Sequence, residues 1–143
     1  MNKFWPSYSS SGSTSFWNHE WSKHGTCATY NSTYITSQKD FFADALALRS
    51  KVGVTTALQS AGIVPSDTLK HKSDDIQYAI SKALGAQAAI SCDQDGNLET
   101  VTVCVRASLT VFDCPSSVTL NSCPTSVVYP SSNQRFGGNT TSA

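Results

Sequence analysis

The chain has 143 residues, with 39% hydrophobic and 14% charged residues and a formal net charge of zero. That length and apolar content suit a globular domain with a real core and exclude a disordered or fibrous chain. Zero net charge excludes an overall field able to hold long nucleic acid non-specifically, so a polyanionic substrate has to be held by a few local cations and by stacking.

In chain order, residues 7–15 read as a flexible, serine-rich loop. From Phe16 to Cys27 the sequence turns dense in aromatics, histidines and charge, and predicts a short helix ending at Gly25 as its C-cap. Apolar residues at Phe41, Ala45, Leu48 and Val52 predict an amphipathic helix over 40–52. A second helical stretch runs to Ser60 and stops at Gly62, with Pro65 beyond. Ser73 predicts an N-cap for a helix over 74–84 closed by Gly85.

The period then changes to two. Residues 88–92 predict a strand, Asp93 to Asn97 a turn, and 98–106 a further strand with Val101, Val103 and Val105 on one face. Residues 109–112 predict one more short strand. Helices followed by an antiparallel sheet make this an α+β chain, expected to be a single domain over 1–143.

Five cysteines, Cys27, Cys92, Cys104, Cys114 and Cys123, form no Cys-x-x-Cys pair. Together with sequons at Asn31-Ser32-Thr33 and Asn139-Thr140-Thr141 they point to an oxidising compartment and to a glycoprotein. No apolar signal core begins the chain and no stretch spans a membrane. A secreted-type body with an odd cysteine and no signal leads us to expect further sequence upstream of Met1.

The chemistry is concentrated in Phe16-Trp17-Asn18-His19-Glu20-Trp21-Ser22-Lys23-His24-Gly25-Thr26-Cys27, which holds two of the chain's three histidines. At about 100° per helical residue, Lys23 lies roughly 40° from His19, Glu20 roughly 100° and His24 roughly 140°, with Phe16 at about 60° among them. One side of one turn thus offers two imidazoles, a carboxylate and an ammonium, while Trp21 and Asn18 fall on the other side. This set suits a phosphodiester. Cations neutralise the non-bridging oxygens, a neutral histidine takes a hydroxyl proton, and the carboxylate orients a histidine. A salt-bridged, solvated helix face is the bland competitor. The zinc pattern His-Glu-x-x-His fails here, because the fourth residue after His19 is Lys23, and an ammonium cannot ligate zinc. No metal site and no cofactor are expected.

This twelve-residue segment resembles the second active-site segment of the ribonuclease T2 family, Phe-Trp-x-His-Glu-Trp-x-Lys-His-Gly-Thr-Cys. Trp5-Pro6 matches a Trp-Pro that precedes it there, and Phe41 through Ser66 is similar to the helices that follow. Cys104 to Pro130 resembles the C-terminus of the plant S-like branch, so nearly the whole chain is covered.

The resemblance implies the T2 fold and an endoribonuclease that cleaves single-stranded RNA through 2′,3′-cyclic phosphates, with no metal and no action on DNA. It implies His24 as general acid/base, Glu20 with Lys23 as stabilisers of the pentacovalent transition state, and His19 as a seat for the phosphate. Phe16 is similar to a base-contacting residue, and core packing beside Trp17 is the competing reading. The implied disulfides are Cys92 with Cys123 and Cys104 with Cys114, leaving Cys27 odd. A monomer that is extracellular or vacuolar, and that neither binds membranes nor needs a partner other than RNA, is the expectation.

The family's first active-site segment, similar to His-Gly-Leu-Trp-Pro, has no counterpart here. His71, in Leu69-Lys70-His71-Lys72-Ser73, reads as a solvated histidine in a basic loop rather than as a substitute. Lacking the second histidine, the chain as written is expected to turn over RNA at most in traces. The alternative is a shortened, non-catalytic relative that binds RNA or a protein.

Overall fold

A computed structural model describes residues 4–7, 12–30, 32–118 and 122–131. Asn31 and Asn139 of the two sequons lie outside them. Packing groups the chain into two compact units, one of residues 1–52 with 105–110, the other of 53–104 with 111–143. None of the helices among the described residues is long and apolar enough to cross a membrane.

In the first unit, helix α1 (Gly12–Glu20) passes without a break into a π-helical turn, Trp21–Gly25, and then into α2 (Thr26–Thr29). Two expectations change here. Gly12 to Ser15, expected in a flexible loop, are helical, and Gly12 opens the helix at φ 80°, which costs glycine little. Residues 8–11 of that loop lie outside the described residues. Gly25 is not a C-cap either. Its φ of −63° and ψ of −39° are helical, it is buried, and the helix continues to Thr29.

Helix α3 (Gln38–Val52) begins two residues before the predicted start. The reason is a reciprocal cap. The Asp40 amide donates to Ser37 Oγ at 3.2 Å, and Asp40 Oδ2 accepts from the Thr36 amide at 3.1 Å and the Thr36 hydroxyl at 2.8 Å. Trp5 packs edge-on to Phe42 with ring centroids 5.0 Å apart, and both Trp5 and Trp21 lie 6.0 Å from Phe41. Trp17 Nε1 donates to the Trp5 carbonyl at 2.8 Å, fixing the segment before α1 to the helix.

The second unit holds helices α4 (Val54–Ser60) and α5 (Ser73–Leu84) and the strands β1 (Lys70–Lys72), β2 (Ala89–Cys92), β3 (Leu98–Thr102) and β6 (Ser126–Val128). The two remaining strands, β4 (Cys104–Val105) and β5 (Val111–Phe112), pair with each other. Leu58, Ile63, Ile76, Ile80, Ala88, Ile90, Cys92, Leu98 and Val127 form its core. Ile76 and Ile80 stand four apart on one face of α5, which is why a single helical stripe fills that core.

β2 and β3 pair antiparallel, with Ile90 opposite Val101 and Cys92 opposite Leu98. The predicted turn joins them. Asp93 Oδ1 accepts from the Asp95 and Asn97 amides at 3.0 and 2.8 Å, and Gly96 takes φ 79°. Cys92 is bonded to Cys123 and Cys104 to Cys114, the two pairs the resemblance implies.

Three further expectations are corrected. Ser73 does not cap α5. Lys72 holds the N-cap position without a side-chain bond, Ser73 is the first helical residue, and its amide donates to the Thr125 carbonyl at 3.1 Å. Lys70–Lys72 is a strand, since β6 offers it a ladder with His71 opposite Val127. Finally, residues 98–106 are not one strand. β3 ends at Thr102 and β4 pairs instead with β5, so Val105 is exposed rather than sharing the face of Val101. The sheet is therefore three two-stranded pairs, and one of its strands precedes the last helix.

Candidate active site

The site lies on the continuous helix of the first unit. Phe16, His19 and Glu20 come from α1, and Lys23 and His24 from the π turn. His19, Lys23 and His24 are exposed, whereas Phe16 and Glu20 are half-buried. Exposure leaves both imidazoles and the ammonium open to a large solute.

A π turn closes its hydrogen bonds between residues five apart, and the Thr26 amide accordingly donates to the Trp21 carbonyl. His19 and His24 are also five apart. On an α-helix they would diverge by about 140°. Here their rings stand 6.3 Å apart, edge to face at 75°. One ligand atom each of His19, Glu20 and His24 lies within 4.8 Å of the others.

The spacing argument against a metal assumed α-helical geometry throughout. The α-helical template was the wrong ruler, because a π turn brings together positions five apart, and two imidazoles with a carboxylate are a set that could hold a divalent ion. The same convergence serves proton transfer and anion neutralisation equally well.

Hydroxyls on the outer face take up backbone carbonyls around the turn. Ser22 Oγ donates to the His19 carbonyl at 3.1 Å and Thr26 Oγ1 to the Ser22 carbonyl at 3.2 Å, as short hydroxyl side chains do where helical bonding is altered. On the inner side, Gly25 lies against the Trp21 ring. A Cβ there would overlap Trp21 Cε3 outright and stand 2.8 Å from Cζ3. The sequence reading missed this role of Gly25. The signal was present, an aromatic four residues before a glycine, but glycine after a lysine and a histidine also reads as a helix end.

Cys27 is free and exposed. It borders a pocket of about 320 Å³ with Ile35, Phe41, Ala45 and Leu48. His71 belongs to the second unit and is not the solvated loop histidine expected. It is half-buried on β1, and its Nε2 is buried with no hydrogen-bond partner among the described residues.

The family model of the ribonuclease T2 family matches residues 1–114. The chain is 41% identical over 116 residues to Ribonuclease DdI of Dictyostelium discoideum, covering 80% of this chain and 50% of that protein. It is 40% identical over 123 residues to Extracellular ribonuclease LE of Solanum lycopersicum, covering 80% of this chain and 51% of that one. Among solved structures, human RNase T2 superposes with a TM-score of 0.80 at 28% identity, covering 91% of this chain and 68% of that chain. The chain spans about half the length of the curated relatives it matches.

Proposed function

The chain belongs to the ribonuclease T2 family, and from that premise we propose that this protein is an endoribonuclease cleaving single-stranded RNA by metal-free transphosphorylation. The observation that most supports this is the convergence of His19, Glu20 and His24 within 4.8 Å, with Lys23 in the same turn. In the proposed reaction a base removes the ribose 2′-OH proton, O2′ attacks phosphorus in line, and the P–O5′ bond breaks as an acid protonates the departing oxygen. A 2′,3′-cyclic phosphate and a free 5′-OH result. DNA lacks the nucleophile and is inert.

His24 acts as one proton-transfer group. Lys23 and Glu20 stabilise the phosphorane, the ammonium facing its oxygens and the carboxylate accepting a proton or orienting an imidazole. His19 seats the phosphate and Phe16 contacts a base. The protein acts as a monomer with RNA as its partner. Two disulfides and the extracellular relative from Solanum lycopersicum support a location outside the cytosol, extracellular or vacuolar.

The test is incubation of the purified protein with an RNA dinucleotide and with its 2′-deoxy analogue, each with and without EDTA. With no counterpart of the family's first-segment histidine to partner His24, a cyclic phosphate is expected from RNA alone and only in traces, at a rate unchanged by EDTA. Cleavage of the deoxy analogue, or arrest by EDTA, would overturn the mechanism. RNA binding without cleavage would favour a non-catalytic, RNA-binding role.

A further inference from the structure

His19 and His24 meet across a π turn, Trp21–Gly25. Such turns are rare, single-turn interruptions that persist where their surroundings maintain them. Besides the Ser22 and Thr26 hydroxyls, the turn carries a packing contact between Trp21 and Gly25, its first and last residues. We propose that they are positioning residues: the Trp21 ring, anchored on Phe41 and seated on the bare Cα of Gly25, maintains the π turn that returns His24 to the side of His19.

Three observations carry this. Gly25 adopts ordinary helical angles, φ −63° and ψ −39°, which any L-residue can take, so backbone freedom is not why glycine stands there. Glycine inside a helix costs about 0.8–1.0 kcal/mol relative to alanine, and alanine would be favoured were there room. There is none, because Trp21 Cε3 and Cζ3 occupy the place of a Cβ. The ring also meets Phe41 on α3, with centroids 6.0 Å apart, and Phe41 in turn is packed on Trp5. The wedge thus connects the aromatic cluster to the turn. The turn decides whether residues five apart meet, as in π register, or diverge by about 140°, as in α register.

This assignment rests on the proposed ribonuclease activity only for its catalytic consequence. The geometry itself has a separate readout. Ni²⁺ alone, titrated into the full chain in a Cys27→Ser background, reports whether His19 and His24 converge, with His19→Ala as the control that removes one ligand. Gly25→Ala and Trp21→Leu are each expected to weaken Ni²⁺ binding about 10- to 100-fold, the range typical of losing a residue that orients ligands. Once the ring is gone, Gly25 has nothing to accommodate, so adding Gly25→Ala to Trp21→Leu is expected to cost nothing further.

Parent affinity no tighter than that of His19→Ala would overturn the proposal. So would a Gly25→Ala chain that binds Ni²⁺ like the parent, additive losses in the double variant, or a lowered melting temperature with unchanged Ni²⁺ affinity. Should Gly25→Ala fail to fold, Trp21→Leu and the double variant still decide it. Turnover of the RNA dinucleotide by the same variants is read separately. A fall in kcat that tracks Ni²⁺ affinity joins the turn to catalysis, whereas altered Ni²⁺ affinity without any RNA cleavage in the parent counts against the ribonuclease reading and leaves the positioning intact.

Discussion

His24 and His19 are separated by 6.3 Å between ring centroids, yet the proposed roles give them different kinetic signatures. Proton transfer matters only as bonds change, so in an enzyme that supplies both proton-transfer histidines His24→Ala is expected to lower kcat by about 100- to 10,000-fold with KM close to that of the parent. A group that seats the phosphate contributes to ground-state binding as well, so His19→Ala is expected to raise KM alongside any fall in kcat. Glu20→Gln keeps shape and loses charge, and is expected to lower kcat with little change in KM. Steady-state kinetics on an RNA dinucleotide separates the three, and near-normal kcat in His24→Ala would refute the assignment. The identities of these groups were legible in the sequence, because imidazole, carboxylate and ammonium are chemically unambiguous. Their spacing was not, because it depends on which helix carries them.

At the level of elements, the N-terminus of α3 offers a clean test. Ser37 Oγ accepts from the Asp40 amide, one of the donors that a helix start leaves without an intrahelical partner. Ser37→Ala is expected to destabilise the chain by about 1 kcal/mol, read by urea denaturation with an unchanged m-value. A larger loss would mean that the residue does more than cap. The Asp40 carboxylate is held below its ordinary range, first by the Thr36 hydroxyl, then by Ser37 and the Thr36 amide. A depressed aspartate stabilises the folded chain above its ordinary value, and that contribution is lost as pH falls through the lowered one. The stability difference between the parent and Asp40→Asn should therefore shrink towards zero in acid. A difference that persists at the most acid pH where the chain stays folded would show that charge is not its source.

In the whole molecule, each unit has its own means of cohesion, an aromatic cluster in the first and an aliphatic core with a disulfide in the second. The Cys92–Cys123 bridge closes a separation of 31 residues, against 10 for Cys104–Cys114. Loop-closure entropy then assigns about 3.7 kcal/mol to the longer bridge and about 2.7 kcal/mol to the shorter, chiefly by constraining the unfolded chain. Replacing Cys92 and Cys123 by alanine is expected to lower the denaturation midpoint more than replacing Cys104 and Cys114, and the cavity left by the buried Cys92 adds to the gap. Equal losses would place the stabilisation in local packing rather than in the loop.

The sequence by itself determined the chemical groups of the site, the helices over α3, α4 and α5, the turn at Asp93, and membership of the α+β class. Each is written in local periodicity, turn chemistry or side-chain identity, which neighbouring residues specify without help from afar. Tertiary structure decided the remainder. Lys70–Lys72 became a strand because β6, more than fifty residues away, supplied its ladder, and residues 98–106 divided because β4 found its partner in β5. Gly25 ended no helix: its backbone stays helical, it lies against the Trp21 ring, and across the π turn the rings of His19 and His24 stand 6.3 Å apart. Such outcomes depend on which long-range partner excludes which volume, and that is fixed only when the chain has packed.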